Sequence, residues 1–344
     1  MNITIADVAR EAHVSKSTVS NYMNGRYEKM SYETRQQIEK TIRSMGYVPN
    51  LSARRLSNKR KSRTLCLIIP GNLTRVYDSL YYPTVFHAAE KIAAGENYKM
   101  LIYSRGSTVA EDEIHFLKEL ASSIVDGFLI FDLDPKDRFF LEFEEADIPY
   151  ICAGQIENFT DYNFVASDHE KAMYDSLKYL TQIGHKRIGI FAPTTASVVE
   201  EARRHSIDEF CRNESFDRSA IVEFHVSDRV TETEVLNIWR SVLRDEKSPC
   251  AFIVSNAIRT SLLIAAQELN LQIPRDISYV NIEYYRKGAL VNQEQTRVES
   301  RADEIVSIMF RELLKQIYEP DKTKRPNIII PLSLVIGETT APPG

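Results

Sequence analysis

The residues of this 344-residue chain best suited to chemistry at a polyanion lie within its first 24 positions. In SKSTVSNYMN, Val19, Tyr22 and Met23 recur at helical spacing on one side, leaving Lys16, Ser17, Ser20, Asn21 and Asn24 on the other side or at the N-terminal end. Such a set suits base edges and phosphates. Lysine reaches guanine acceptors in the major groove, and asparagine carries the donor and acceptor pair that matches adenine. Lys16, Ser17 and Asn21 are therefore the expected base-reading residues. Thr4, Ser15, Thr18 and Asn24 suit phosphates, contacts that position a protein without specifying a sequence.

Enzymatic patterns are absent from the sequence. No GxGxxG or Walker-type glycine loop follows a strand, the chain has only twelve glycines, and neither a GxSxG elbow nor an HExxH occurs. The seven histidines are scattered, and His185 reads as a helix-end residue before a strand. The expectation is a protein that is not an enzyme and needs no cofactor and no metal. Cys66, Cys152, Cys211 and Cys250 form no CxxC pair and lie in or beside apolar stretches, so they read as reduced core residues.

The elements that must position the polar stripe follow from the pattern around it. Thr4 can cap a first helix with Asp7 three positions on, and Ile5, Val8, Ala9 and Ala12 keep the helical period. Ser15 caps the second helix, Val14 and Val19 make a staple across its start, and Gly25 ends it. A third starts near Ser31, buries Ile38, Ile42 and Met45, and stops at Gly46. Two short helices joined tightly at residues 12–15 make a helix-turn-helix, which presents its second helix to the major groove. The bland alternative is a solvated helical hairpin used for protein contacts.

From Leu65 onward, apolar runs of strand length alternate with helical segments, an α/β organisation. Strands are expected at 65–70, 99–103, 127–131, 149–153, 164–167, 187–192, 221–225, 250–254 and 277–282. Most are continuously apolar, as parallel strands covered on both faces are. Nine strands exceed one compact sheet, so two doubly wound subdomains are expected. A polar, basic segment, residues 50–63, separates head from body.

Charge divides the same way. The net charge of -5 argues weakly against a nucleic-acid partner, yet residues 1–63 hold thirteen Lys or Arg against five Asp or Glu, leaving the remainder at -13. The composition, 43% hydrophobic and 26% charged, excludes a disordered or fibrous chain. The start shows no apolar h-region, and no run of about 18 apolar residues follows, so the expected location is the cytoplasm without a membrane anchor.

ITIADVAREAHVSKSTVSNYMNGR, followed by TRQQIEKTIRSMGYVPNLSARRL, closely resembles the head of the LacI/GalR family of bacterial transcription regulators. His13 stands where that family usually has glycine and Asn21 where it commonly has arginine. The first is compatible with a left-handed turn; the second implies a different half-site. NLSARRL resembles the family's hinge, a short helix formed on the operator. By that resemblance Asn50 caps the helix, Ala53 allows close approach to a symmetry mate, Leu56 is a minor-groove wedge, and Arg54 and Arg55 neutralise phosphates. A flexible linker with Leu56 packed on the body is the alternative. A helix of about seven residues does not hold itself together in water, so separating two hinges would melt them.

DGFLIF, IPYI, LTQIGHKRIGIF, LNLQIPRDISYVNIE and PLSLVIGETT resemble the family's periplasmic-binding-protein-like core. The resemblance implies a helix-turn-helix domain at 1–49, a hinge at 50–63 and a ligand-sensing, dimerising core at 64–344. Subdomain one would comprise about 64–164 and 294–325, subdomain two about 165–293 and 326–344. A cleft at the carboxyl ends of the strands would take a small effector. The family's cleft positions fall on Asp168, Arg203, Asn256 and Glu283, although Ser206 replaces a usual glycine, Ala257 a usual acid, and Glu283 a usual aspartate. Each could instead be a surface or strand-end polar residue. Tyr77, Tyr81 or Tyr82 could stack on a sugar ring or simply pack, with Tyr81 taken into the effector set, and Arg203 with Arg75 would suit a carboxylated sugar.

The resulting expectation is a homodimeric DNA-binding regulator, a repressor of a carbohydrate-utilisation operon, whose affinity for a palindromic operator is set by a sugar-type effector. The alternative is a cytoplasmic sugar-binding or sugar-processing α/β protein without a regulatory role.

Overall fold

A computed structural model describes residues 3–23, 25–47, 61–71, 76, 80–106, 109–194, 197–227, 230–284, 294–321 and 325–344. The chain forms two compact units, Met1–Ser62 and Arg63–Gly344.

The first unit contains α1 (Ile5–Glu11), α2 (Lys16–Met23) and α3 (Tyr32–Met45). Each start is built locally. Thr4 and Asp7 cap α1 reciprocally, Ser15 Oγ accepts from the Thr18 amide at 3.1 Å, and Ser31 Oγ accepts from the Thr34 amide. Val8, Ala9, Ala12, Val19 and Ile38 are the buried core. Gly46 closes α3 in the left-handed conformation, φ 65°, where a β-carbon would be strained.

The second unit runs β1 (Thr64–Pro70), α4 (Tyr81–Gly95), β2 (Lys99–Arg105), α5 (Glu111–Ser123), β3 (Gly127–Ile130), α6 (Leu141–Glu145), β4 (Tyr150–Ala153) and β5 (Phe164–Ser167). It continues through α7 (His169–Gln182), β6 (Ile188–Pro193), α8 (Val198–Asn213), β7 (Ile221–Val226), α9 (Glu232–Arg244), β8 (Ala251–Val254), α10 (Asn256–Glu268) and β9 (Ser278–Tyr284). β10 (Arg297–Glu299), α11 (Ala302–Tyr318), β11 (Asn327–Ile330) and β12 (Leu334–Val335) complete it. Two six-stranded sheets result, ordered β11-β5-β4-β3-β1-β2 and β12-β10-β9-β8-β6-β7, parallel except for the β10–β12 pair.

All nine expected strands form within two residues of the expected bounds. β10, β11 and β12 are the additions, and they move the crossings between subdomains. β5 and β11 pair with each other in the first sheet, β10 pairs with β9 in the second, and α11 buries Val306, Met309, Phe310 and Leu313 against the first. The chain therefore crosses after Ser167, after Glu299 and after Ile330, each a few residues later than the boundaries expected at 164, 293 and 325. Backbone pairing across the sheet, not the helix pattern, fixes these points.

Cys66 and Cys152 are buried as expected and Cys211 is half-buried, but Cys250, one residue before β8, is exposed and is not a core residue. Among the described residues no helix is long and apolar enough to cross a membrane.

Candidate functional site

In the first unit α2 presents the polar stripe. Val19 is fully buried, whereas Lys16 and Ser17 are exposed and Thr18 and Asn21 half-buried. Ser15 Oγ lies 2.6 Å from Ser17 Oγ and 2.8 Å from Thr18 Oγ1, a hydroxyl cluster at the helix start. Backbone amides and hydroxyls gathered at a helix N-terminus favour a phosphate oxygen. Thr4 is exposed, and its hydroxyl donates to Asp7 Oδ2 at 2.6 Å. His13 adopts φ 52°, the left-handed turn its replacement of glycine required. Asn24, Arg54, Arg55 and Leu56 lie outside the described residues, as do Arg75 and Tyr77.

In the second unit Tyr81, Asp168, Arg203, Asn256 and Glu283 all line one cavity of about 1160 Å3 between the two sheets. Asp168 is the N-cap of α7, its Oδ1 accepting from the Lys171 amide at 2.9 Å. Asn256 opens α10, and its Oδ1 accepts from Asn281 Nδ2 at 3.2 Å. Tyr81 packs edge-on against Tyr82 and Phe131, while burial and the Asp132 carboxylate raise its hydroxyl pKa. Tyr82 donates to Asp132 Oδ2 at 3.2 Å. Both tyrosines thus pack and border the cavity at once.

Arg203 is 5% exposed and held between two carboxylates, Glu200 Oε1 at 2.5 Å and Glu283 Oε1 at 2.8 Å. Burial works against its charge, but the two carboxylates outweigh burial and raise its pKa. The pairing corrects the idea of Arg203 as a partner for a carboxylated sugar: its charge is already neutralised. Arg203 instead orients Glu283, which remains one-third exposed to the cavity and can accept from ligand hydroxyls.

Three features were missed from sequence. Glu200 sits one turn before Arg203, a spacing that brings acid and base together on one helix. His169, beside Asp168, has a buried Nδ1 without a partner, and burial followed by the Arg203 charge depresses its pKa to about 3. Arg259, on α10, also lines the cavity. The bridge across the cleft is equally specific. Val198, the first residue of α8, packs into the first subdomain's core, and its amide donates to the Leu133 carbonyl at 3.2 Å. A β-carbon at Gly154, φ 118°, would sit 2.8 Å from Val198 Cγ2, so glycine there lets α8 dock. The helix that carries Glu200 and Arg203 is thus anchored in both subdomains.

Known proteins show the same two-part organisation. Residues 4–50 match the model for bacterial regulatory proteins of the lacI family. Residues 62–215 match periplasmic binding proteins and the sugar binding domain of the LacI family, and residues 177–340 a periplasmic binding protein-like domain. Catabolite control protein A of Priestia megaterium is 27% identical over 318 residues, 92% of either chain. The HTH-type transcriptional repressor PurR of Vibrio atlanticus is 24% identical over 94% of either chain. Among solved structures, the Lac repressor dimer bound to operator and the anti-inducer ONPF aligns with a TM-score of 0.77 at 20% identity, covering 99% of this chain and 100% of that one. The transcriptional regulator CelR–cellobiose complex aligns with a TM-score of 0.67, also at 20% identity, over 98% and 100%. With its head, both core halves and its full-length relatives in agreement, the chain belongs to the LacI/GalR family of transcriptional regulators.

Proposed function

We propose that the protein is a cytoplasmic, homodimeric repressor that binds a palindromic operator and is controlled by a sugar-type effector in the core cleft, without enzymatic activity. The observation that carries this reading is the presence on one chain of an exposed polar helix and a cleft lined by Asp168, Arg203, Asn256 and Glu283. A two-fold dimer would set two α2 helices on inverted half-sites. Lys16, Ser17 and Asn21 would read bases, and Ser15, Thr18, Thr4, Asn24, Arg54 and Arg55 would hold phosphates. Leu56 would wedge the minor groove between the half-sites.

The operator and sugar complexes of structural relatives support the direction of this reading. The cleft supplies the switch: α8 is docked in both subdomains, so a ligand that moves Arg203 or Glu283 changes the angle between them. In physical terms, the ligand must favour one subdomain angle over another to change DNA affinity. The test is binding of the full chain to palindromes from its own promoter region with and without candidate sugars. Affinity altered several-fold by one sugar supports the reading; operator binding indifferent to every cleft ligand contradicts it.

A further inference from the structure

Three arginines are buried among the described residues: Arg105, Arg203 and Arg259. Arg105 pairs with Asp137 at 2.8 Å, and Arg203 with Glu200 and Glu283. Arg259 is 7% exposed and borders the cavity, yet its Nε and Nη1 are buried without a hydrogen-bond partner, and no described carboxylate pairs with it. Its guanidinium lies beside the Tyr279 hydroxyl, whose pKa burial raises and the arginine's charge and hydrogen bond hold back. A neutral hydroxyl does not neutralise a cation.

The position makes the imbalance larger. Arg259 lies in the first turn of α10, a thirteen-residue helix whose N-cap, Ser255, makes no side-chain capping bond. The positive end of the helix dipole and a guanidinium without a counter-charge therefore fall in the same helical turn beside the cavity. A buried, unpaired charge at the wrong end of a helix is retained where something else pairs with it.

We propose that Arg259 anchors an anionic group, a carboxylate or a phosphate, on the small molecule that fills this cleft. The inference rests on the reading of the cavity as the effector site. Asp168 and Glu283 also line the cavity, and their carboxylates accept from ligand hydroxyls. The effector class is thus a hydroxylated body with one anionic end directed at the start of α10.

The test is thermal shift and calorimetry on the full chain with glucose, gluconate, glucuronate and glucose 6-phosphate, for wild type, Arg259→Met and Arg259→Lys. At least one anionic probe should raise the melting temperature of wild type, bind at least tenfold more weakly to Arg259→Met, and regain part of its affinity in Arg259→Lys. Without ligand, Arg259→Met should melt no lower than wild type, because it removes an unpaired buried charge. A purely structural arginine would instead lower it. Anionic probes that leave wild type unmoved, or that bind Arg259→Met as tightly, overturn the proposal. Glucose stabilising both proteins equally while the anions do not would also overturn it, yet would leave the sugar-effector reading standing. Gluconate or glucuronate against glucose 6-phosphate separates the carboxylate from the phosphate.

Discussion

Charge pairing governs the cleft residue by residue. Arg203 pairs with Glu200 and Glu283 at once, so Arg203→Met leaves two carboxylates without their shared cation. Breaking such a set should cost about 3–5 kcal/mol, read as a fall in melting temperature even without ligand. His169 sets an acid limit. Its folded pKa of about 3 lies below the ordinary histidine value, so the unfolded chain binds the proton first as pH falls. Stability should be flat above pH 6.5 and decline below it, and denaturant melts between pH 6.5 and 5 should show a shallower decline for His169→Gln. Burial lowers the His185 pKa as well, so part of the slope should remain in that variant. Asp168, Arg203, Asn256 and Glu283 were legible because family positions mark them, and all four reach one cavity. Arg259 was not, since a lone arginine on a helix ordinarily reads as solvated. The signal was its spacing: Arg259, Leu262 and Ala266 share one helical face, and the two apolar members are buried.

The elements carry these residues with unequal legibility. The caps at Thr4, Ser15 and Ser31 and the stop at Gly46 are local chemistry, and all four form as their residue types require. β10 and β12 were invisible because segments of three and two residues carry no period of their own; with β11, they exist through partners far along the chain. α8 joins the subdomains through Val198 and Gly154, so Gly154→Val should lower stability by displacing that docking, beyond the loss caused by its positive φ. The single tryptophan offers a readout. Trp239 stacks on Phe191 with ring centroids 3.9 Å apart, and Phe191 lines the cavity. Effector binding should change Trp239 fluorescence with the same midpoint as the thermal shift, and a ligand that shifts melting without altering fluorescence would be bound elsewhere. At the hinge, Leu56→Ala should weaken specific operator binding while leaving nonspecific binding nearly intact; equal losses in a titration against both DNAs would remove the wedge.

For the whole molecule, the modest net charge of -5 conceals a basic head and an acidic body with separate tasks. On the proposed reading the head and hinge would supply cations for phosphates, while the acidic body would stand off the DNA and hold the small molecule. Base-reading substitutions and phosphate substitutions should then separate: Lys16→Ala or Asn21→Ala should cost about 1–3 kcal/mol on the specific site and much less on random DNA. The central claim is that the head alone confers operator binding through phosphate contacts. Its most direct test is the affinity of the full chain for a promoter palindrome as a function of salt, beside the same chain lacking residues 1–62. Affinity should fall steeply with the logarithm of salt concentration, with a slope of about -5 to -9 for six to ten phosphates neutralised per dimer, and the shortened chain should not bind. A flat salt response, or operator binding that survives removal of the head, would contradict it.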